Sequence, residues 1–344
     1  SGNLQSWGVD AVRLLILGGA GYIGSHFCVA ALESRHKILV VDNLSRGHRQ
    51  AVPDHAEFLL CDLNDDATLS PKLKEFDPEL VVHFAAYALV GESLEKPELY
   101  QRNNVLGTQN LVKVLDELRQ PPPVVFSSSC AVYGNPSAVP VTEKAPLQPL
   151  SPYGESKRQC EQVLQTYSEK NATPVVCLRY FNVAGADNDA GIGEDHSPET
   201  HLVPSLLKRL SQGDPIEIFG NDYPTADGTC VRDYIHVQDV AKAHLQAIDK
   251  IQQQQLPNFH IYNLGSGRGY SNWEVVKIAA QVLGVTVTPQ FGPRRPGDAA
   301  VLYADTSLAE KELGFVAEYD LKAMIHSAHH WHSSCPEGFR TNTS

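Results

Sequence analysis

The chain has 344 residues, of which 42% are hydrophobic and 20% charged, and its formal net charge is -12 at pH 7. This composition is typical of a globular protein with a large core, and the negative charge argues against a broad nucleic-acid surface. No run approaches the ~20 apolar residues that a membrane-spanning helix needs. Seven scattered cysteines without a Cys-x-x-Cys pair indicate reduced thiols and a cytoplasmic compartment. Because Met324 is the only methionine, we expect that sequence was removed ahead of Ser1, which leaves a lost targeting segment open.

Strands and helices alternate along the first half of the chain. The apolar run 13–18 predicts a buried strand, and a helix pattern through Phe27 and Leu32 follows it. Further strands are predicted at 37–42, 57–61, 80–84, 124–128 and 174–179, with helices at 68–75, 97–118 and 156–170. Such alternation predicts an α/β fold with a doubly wound parallel sheet of the Rossmann type.

The composition changes after residue 182, where 184–200 is rich in Gly, Asp and Glu and is predicted to be a loop. We therefore predict a Rossmann domain over 11–182 and a smaller mixed α/β domain over 183–340. Helices are predicted in the second part at 202–211, 238–250, 272–282, 307–313 and 320–332. Ser271 with Glu274, and Ser307 with Glu310, have the spacing of capping boxes that begin two of them.

A glycine turn marks a dinucleotide site. Gly18, Gly21 and Gly24 lie between the first strand and the first helix, where a pyrophosphate can approach the helix amides. The second strand ends in Asp42, whose carboxylate would bind ribose hydroxyls and repel a 2′-phosphate, so the site favours NAD over NADP. At the end of the third strand, Asp62 and Leu63 would contact the adenine. At the end of the fourth strand, the rest of the cofactor would contact Phe84, Ala85 and Ala86.

Lys157 lies on the predicted helix 156–170 and Tyr153 lies just before it, so the two side chains would be one helical turn apart. A tyrosine hydroxyl normally ionises near pH ~10, but an adjacent ammonium and an oxidised nicotinamide would lower its pKa. The pair is then a candidate proton acceptor for an alcohol that loses hydride to the cofactor. Without the dinucleotide site, a solvated helix face would explain the same spacing.

Several motifs resemble those of a known family. The motifs Gly18-Gly-Ala-Gly-Tyr-Ile-Gly-Ser-His, Val-Asp42-Asn-Leu-Ser, His83-Phe-Ala-Ala, Ser127-Ser-Ser-Cys-Ala-Val-Tyr-Gly and Tyr153-Gly-Glu-Ser-Lys resemble the extended short-chain dehydrogenase/reductases. The later motifs Leu178-Arg-Tyr-Phe-Asn, Asp227-Gly-Thr-Cys-Val-Arg-Asp-Tyr-Ile-His and Arg294-Arg-Pro-Gly-Asp narrow the resemblance to the UDP-glucose 4-epimerase family. The resemblance extends from about Arg13 to about Trp331.

The resemblance implies a role for each matching residue. Tyr153 would be the catalytic base, Lys157 would hold the phenolate and the nicotinamide ribose, and Ser129 would bond the reacting sugar hydroxyl. The implied reaction is a reversible C4 epimerisation of a UDP-hexose, in which tightly bound NAD removes and returns a hydride and a 4-keto sugar rotates in between. Further cofactor contacts would come from Tyr22, Ile23, Asn43, Ser45, Asn104, Ser127 and Tyr180.

The nucleotide of the substrate would be bound by the second part of the chain. Guanidinium groups suit a pyrophosphate, and the resemblance assigns this to Arg232 and Arg295, with Asp298 on the uridine ribose and Phe219 beside uracil. Asn182 would touch a phosphate. His201 and Leu202 stand where the family often has Asn-Asn-Leu, and Leu302 occupies the position that selects sugar size.

Alternatives remain at the level of the substrate and of the protein class. A UDP-pentose or UDP-N-acetylhexosamine 4-epimerase would share these residues, and a catalytically idle nucleotide-binding regulator would need only part of them. Dehydration is disfavoured because Cys130 and Ala131 stand where related dehydratases carry an acid pair.

Two further expectations concern metals and assembly. His326, His329, His330 and His332 fall on one helix pattern, but no cysteine or carboxylate completes a ligand set, so no metal is predicted. The resemblance implies a homodimer through helices 97–118 and 153–170.

Overall fold

The computed structural model describes residues 11–295 and 298–339. Three parts of the sequence analysis lie outside the described residues: the tail before residue 11, Pro296 and Gly297 of the Arg-Arg-Pro-Gly-Asp motif, and the predicted end of the second domain at residue 340.

The strands and helices follow one another in chain order. The strands are β1 (Arg13–Leu17), β2 (Lys37–Asp42), β3 (Glu57–Leu60), β4 (Leu80–His83), β5 (Val124–Ser129), β6 (Val175–Tyr180), β7 (Asn182–Ala184), β8 (Glu217–Phe219), β9 (Val231–His236), β10 (Phe259–Leu264), β11 (Gly269–Ser271), β12 (Gln290–Gly292) and β13 (Val301–Leu302). The helices are α1 (Tyr22–Glu33), α2 (Asp66–Phe76), α3 (Val90–Glu95), α4 (Pro97–Tyr100), α5 (Gly107–Asp116), α6 (Pro152–Asn171), α7 (Leu202–Gln212), α8 (Val237–Gln252), α9 (Asn272–Leu283), α10 (Ser307–Leu313) and α11 (Leu321–Ser334).

A seven-stranded parallel sheet in the order β10-β6-β5-β4-β1-β2-β3 confirms the predicted doubly wound architecture. Its central strands are buried on both faces because helices cover each side. Leu14 and Ile16 of β1 point into a core shared with α1 and α8. The next residues along, Leu15 and Leu17, point into the opposite core with α2, α5 and α6. All the parallel strands therefore end at one edge of the sheet, where the predicted site residues follow them.

The predicted division at residue 183 remains a prediction, but the chain beyond it returns to the large sheet. β10 pairs in parallel with β6, and α8 packs against α1 on one face of the sheet. The seven strands thus include chain that we assigned to the second domain. The pattern could not show this return because strand pairing joins segments that are far apart in sequence.

The second part of the chain adds a smaller layer. β11, β9 and β13 form a sheet that β7 joins through β9, and β12 pairs with β8. Helices α7, α9 and α11 pack together around Leu207, Val276 and Met324. No helix in the described ranges has the length and apolar character that crossing a bilayer requires.

Three local predictions were incomplete or wrong. The helix predicted at 97–118 is divided, since α4 passes through a π-helical segment at Gln101–Leu106 into α5. The loop predicted at 184–200 begins one residue later than predicted, because β7 includes Ala184. The Ser271 capping box is confirmed, whereas Ser307 lies inside α10 and Thr306 occupies the N-cap position.

Candidate active site

The glycine turn between β1 and α1 is built for close backbone approach. Gly18 has φ +77°, and a Cβ there would lie 2.5 Å from Ala85 N at the end of β4. A Cβ on Gly24 would lie 2.2 Å from Gly18 O. Gly21 is the N-cap of α1, whose first turn has no side-chain cap and no acidic residue. The first amides of α1 are therefore free to face an anion, as the sequence predicted.

Asp42 fastens this turn to the end of β2. Its Oδ2 accepts a hydrogen bond of 3.0 Å from Ala20 N, and its Oδ1 accepts one of 2.8 Å from Leu44 N. Burial raises the pKa of the Asp42 carboxyl, although both backbone bonds lower it. Each carboxylate oxygen has a second lone pair, so the group can still accept bonds from ribose hydroxyls.

The adenine side of the site is formed by the loops after β2 and β3. Asn43 Nδ2 donates to Asp62 Oδ2 at 2.8 Å, and Asn43 Oδ1 accepts from Ser45 N at 3.0 Å. Partial burial raises the pKa of Asp62, but bonds from Asn64 and Asn43 outweigh it, and the net shift is downward. An ionised Asp62 thus orients Asn43.

A cavity joins these loops and adds residues that the sequence analysis missed. Arg46 donates to both carboxylate oxygens of Glu92, at 2.7 and 2.6 Å, and its guanidinium lies 5.1 Å from the centre of the Tyr87 ring. Arg46 directly follows the motif Val-Asp42-Asn-Leu-Ser and Glu92 lies in α3, so a search for paired charges near the motifs could have found them. The cavity is lined by Gly18, Gly21, Val41, Asp42, Asn43, Ser45, Arg46, Gly47, Cys61, Leu63, Phe84, Ala85, Ala86, Tyr87 and Asn103.

Asn104 lies in the π-helical segment and connects three elements. Its Oδ1 accepts from Tyr87 N at 2.8 Å, while its Nδ2 donates to Tyr87 O at 3.0 Å and to Ser156 Oγ at 2.9 Å. The buried amide therefore holds the chain after β4 against α6. Its predicted contact with the cofactor remains a prediction, since both of its donor hydrogens have partners within the protein.

Tyr153 enters the site from the first turn of α6. Ser151 caps this helix by accepting a 3.1 Å bond from Gly154 N. Burial raises the pKa of the Tyr153 phenol to about 12, against which a side-chain bond with Ser129 lowers it. Ser129 is the last residue of β5, and its Oγ also accepts from Ala131 N at 3.1 Å. The predicted Tyr153–Ser129 pair is thus brought together.

Lys157 lies one turn further along α6 and is buried. Its Nζ donates a 2.7 Å bond to Ser127 O and lies 4.9 Å from the centre of the Phe126 ring. Burial lowers the pKa of Lys157 to about 8. Lys157 is not among the causes that shift the pKa of Tyr153. The prediction that this lysine and an oxidised nicotinamide together lower the phenol pKa stays a prediction, and burial is the effect that they would have to overcome.

A buried ion pair supports the serine run of β5. Arg179 donates to both oxygens of Glu161, at 2.9 and 2.6 Å, and Ser128 Oγ donates to Glu161 Oε1 at 2.5 Å. Arg179 also donates to Tyr133 Oη at 2.9 Å. This network fixes β5, β6 and α6 relative to one another, so that the end of β5 meets Tyr153 in a single geometry.

Tyr180 ends β6 directly beside Ser129, its partner in the strand register. Its hydroxyl lies 2.6 Å from His244 Nε2, and the His244 ring is 4.8 Å from the Phe84 ring. Burial raises the pKa of Tyr180 and lowers that of His244 to about 4. Near neutral pH the His244 imidazole and the Tyr180 phenol are therefore both uncharged, and the cofactor contact that the resemblance assigns to Tyr180 stays a prediction.

Three of the predicted substrate-binding residues, Arg232, Asp298 and Leu302, lie together where the start of β9 pairs with β13. Arg232 donates to Ala299 O at 2.7 Å, and its guanidinium lies 3.5 Å from Asp298 Oδ1. Leu302 pairs with Arg232 in the strand register and packs against the cluster containing Val132 and Phe181. Leu302 thus reaches toward the loop that follows Ser129.

Arg295 and Phe219 form a second contact of this surface. The Arg295 guanidinium lies 4.1 Å from the centre of the Phe219 ring at the end of β8. Its neighbour Arg294 instead donates to Asp222 Oδ1 at 2.6 Å. Asn182 at the start of β7 and Leu202 at the start of α7 are exposed, so both remain available for the predicted substrate contacts.

His201 has a partner within the protein, since its Nδ1 is bonded to Glu194. Its predicted contact with the nucleotide stays a prediction. Glu194, His196, Glu199 and His201 form the group of potential metal ligands within the described residues. The absence of a metal set was predicted from the histidines of α11, and the loop 184–200 was not considered.

Cys130 and Ala131 follow Ser129 in a short 3-10 turn. Burial raises the pKa of the Cys130 thiol to about 12, so it stays protonated near neutral pH. Arg232 opposes this shift electrostatically, which places the proposed nucleotide surface close to the serine. A neutral thiol and a methyl group cannot supply the acid and base that an elimination needs.

Comparisons with known proteins agree on one family. The profile of the NAD dependent epimerase/dehydratase family matches residues 14–265. A UDP-glucose 4-epimerase of Halalkalibacterium halodurans is 42% identical over 332 residues, which is 96% of this chain and 98% of the relative. The crystal structure of UDP-glucose 4-epimerase from Brucella ovis in complex with NAD has a TM-score of 0.88 and 43% identity, over 93% of this chain and 98% of that one. The enzyme from Bifidobacterium longum in complex with NAD+ and UDP has a TM-score of 0.88 and 37% identity, over 95% of this chain and 100% of that one.

Proposed function

The chain belongs to the NAD dependent epimerase/dehydratase family, and from this premise we propose that it interconverts UDP-galactose and UDP-glucose by epimerisation at C4. The observation that carries the proposal is the meeting of Ser129, Tyr153 and Lys157 at the sheet edge that also bears the glycine turn. A nucleotide-binding regulator would have no need for a phenol and a serine hydroxyl paired in this way.

The proton of the sugar C4 hydroxyl moves through Tyr153 and Ser129. The acceptor would be the Tyr153 phenolate, which burial disfavours and which the Lys157 ammonium and the charge of an oxidised nicotinamide would favour. The Ser129 hydroxyl would bond both the phenolate and the sugar oxygen, so that the proton can pass between them. Lys157 has a pKa of about 8 and therefore stays mostly charged at pH 7. Its ammonium is held on Ser127 O and faces the ribose side of the site, where it adds positive potential when the phenolate forms.

The residues of the glycine turn fit a dinucleotide. The space that a Cβ would fill at Gly18 and Gly24 is taken by backbone, so the turn presents bare amides to a pyrophosphate. Asp42 and Asn43 offer acceptors and donors for the adenosine ribose. NAD held there would supply the acceptor for the C4 hydride and its donor to the opposite face of the sugar.

The substrate is held by its nucleotide and not by its hexose. Arg232 and Arg295 would bind the pyrophosphate, Asp298 the uridine ribose and Phe219 the uracil face. A hexose held only through the pyrophosphate can present either face to Tyr153. Leu302 limits its size, which favours glucose and galactose over N-acetylated sugars.

The test is conversion of UDP-galactose to UDP-glucose by the purified chain without added NAD. We expect turnover together with one NAD released per chain on denaturation. A protein that retains NAD but does not convert UDP-galactose would overturn the proposal. Higher turnover on UDP-xylose or on UDP-N-acetylglucosamine would assign the site to another sugar.

We also propose that the protein is a homodimer in a cytoplasmic compartment. The side-by-side packing of α5 and α6 supports the interface, as do Val90, Leu94 and Leu106, which expose apolar side chains near these helices. Seven free cysteines, five of them buried, support reducing conditions. Light scattering should give twice the chain mass of 37.7 kDa, and Leu106→Asp should shift the protein toward the monomer.

A further inference from the structure

A group of ligand-type side chains lies outside the proposed active site, in the segment between β7 and α7. Glu194, His196, Glu199 and His201 each offer one nitrogen or oxygen, and these atoms all lie within 4.8 Å of one another. We propose that this group, named here the 194–201 cluster, binds one Zn²⁺ ion as a structural site.

The distances within the 194–201 cluster suit a four-coordinate ion. His196 Nδ1 lies 3.2 Å from Glu194 Oε1 and 3.7 Å from Glu199 Oε2, and His201 Nδ1 lies 3.7 Å from Glu199 Oε1. Tetrahedral zinc with bonds of about 2.0–2.1 Å places its ligands about 3.3 Å apart. The one closer pair, His201 and Glu194, would open slightly to admit the ion.

The environment of these atoms favours the binding of a cation. The Glu194 side chain is only 4% exposed, and His196 Nδ1 is buried without a hydrogen-bond partner although it is 3.2 Å from a carboxylate. Once His201 releases the proton that its bond with Glu194 otherwise favours, two carboxylates and two neutral imidazoles carry a charge of about -2, which a single divalent cation neutralises. A buried imidazole nitrogen without a hydrogen-bond partner is expected of a metal ligand before the ion binds.

The donor set selects the ion. Two imidazole nitrogens and two carboxylate oxygens match the four-coordinate sites of zinc, whereas Ca²⁺ and Mg²⁺ favour six or more oxygen ligands. All four positions belong to protein, which is typical of a structural site and leaves no place for a reacting water.

The cluster is anchored from three sides, which gives the ion a structural role. Tyr22 at the start of α1 donates to Gly185 O at 2.6 Å, and its ring lies 6.4 Å from that of His196. Trp331 of α11 donates to Glu194 O at 3.3 Å, and His48 lies 3.3 Å from Asp195. Zinc would therefore fix the start of α7 relative to the glycine turn.

The test is zinc binding by the untagged protein as isolated, with its bound cofactor, after treatment with a chelator. Competition with a chromophoric zinc indicator should give one Zn²⁺ per chain for the unaltered protein. In His196→Gln/His201→Gln we expect the affinity of this site to fall at least roughly 100-fold. The control His326→Gln/His330→Gln removes an exposed histidine pair from α11 and should keep the site.

Cobalt and thermal unfolding give independent readouts. Co²⁺ should show the visible absorption of tetrahedral coordination, and Zn²⁺ should raise the Tm of the unaltered protein but not of the double variant. If that variant does not fold by circular dichroism, His196→Gln alone serves, since its side chain is 22% exposed. No stoichiometric zinc, or a site lost with His326 and His330 instead, would overturn the proposal.

Discussion

The sheet edge that carries Ser129, Tyr153 and Lys157 differs from the surface proposed to hold the nucleotide of the substrate. At the edge, Ser129 and Lys157 are buried and lie on β5 and α6. These two elements are joined because Ser128 of β5 donates to Glu161 of α6, which also forms a buried ion pair with Arg179 of β6. On the nucleotide surface, Asp298 has a side chain that is 38% exposed, and Arg295 lies in irregular chain. A proton transfer needs one fixed geometry, whereas a substrate must enter and leave, so rigid elements suit the first and long side chains on loops suit the second.

The largest effect should come from removing the phenol at the rigid edge. Tyr153→Phe deletes the proton acceptor, so we expect kcat to fall by about 10²–10⁴-fold while NAD remains bound. The measurement is turnover of UDP-galactose together with the NAD content of the purified variant. Tyr167→Phe is the matched control because Tyr167 lies on the same helix and bonds only to Pro122 O. Equal losses in both variants would mean that stability, and not proton transfer, is affected.

Lys157 provides a test of how much the buried charge at this edge lowers the free energy of unfolding. Its pKa is lowered to about 8 by burial, whereas an unfolded lysine titrates near ~10.4. Between these values the unfolded chain binds more protons, so stability should rise with pH across this window, and below it the full penalty of the buried charge remains. That penalty is about 3 kcal/mol, and the bond that Lys157 makes to Ser127 O offsets about 1 kcal/mol of it.

We therefore expect Lys157→Met to raise the free energy of unfolding at pH 7 by about 2 kcal/mol while activity is lost. At pH 10 most of this gain should disappear. Urea unfolding at both pH values with saturating NAD is the measurement. Lys170→Met is the control, since Lys170 is exposed on the same helix beside Asp116. A gain that does not change with pH would contradict the assigned cause.

Arg295 provides a test of the surface proposed to hold the nucleotide. A guanidinium that binds the pyrophosphate equally in the ground state and the transition state contributes to KM and not to kcat. We expect Arg295→Ala to raise KM by about 10–100-fold, which corresponds to the ~1.5–3 kcal/mol of a charge-assisted contact, with kcat nearly unchanged. Arg294→Ala should leave both constants within about 2-fold, because Arg294 is paired with Asp222 at the surface. Similar KM values for the two variants would show that Arg295 does not bind the substrate.

The two regions also differ in how far sequence alone could predict them. The glycine turn, Asp42 and the residues at the strand ends were predictable because the backbone of a parallel sheet requires them at fixed places. The return of β10 to the large sheet, the bond between Arg46 and Glu92, and the 194–201 cluster depend on contacts between separate segments or on how a loop folds. The burial that raises the pKa of Tyr153 was not predictable for the same reason, since it depends on packing that a Tyr-x-x-x-Lys spacing does not reveal.

The smallest effect tests two serines in the second part of the chain that have the same motif but different contacts. Ser271 Oγ accepts from Glu274 N at 3.0 Å, and Glu274 Oε2 accepts from Ser271 N at 2.7 Å, so Ser271→Ala should destabilise the protein by about 1–2 kcal/mol. Ser307 Oγ bonds only Asp305 within an exposed turn, and Ser307→Ala should cost at most about 0.5 kcal/mol. Urea unfolding of both variants measures the difference. Equal losses would show that spacing alone makes the cap, whereas the structure attributes it to the hydrogen bonds that each serine makes.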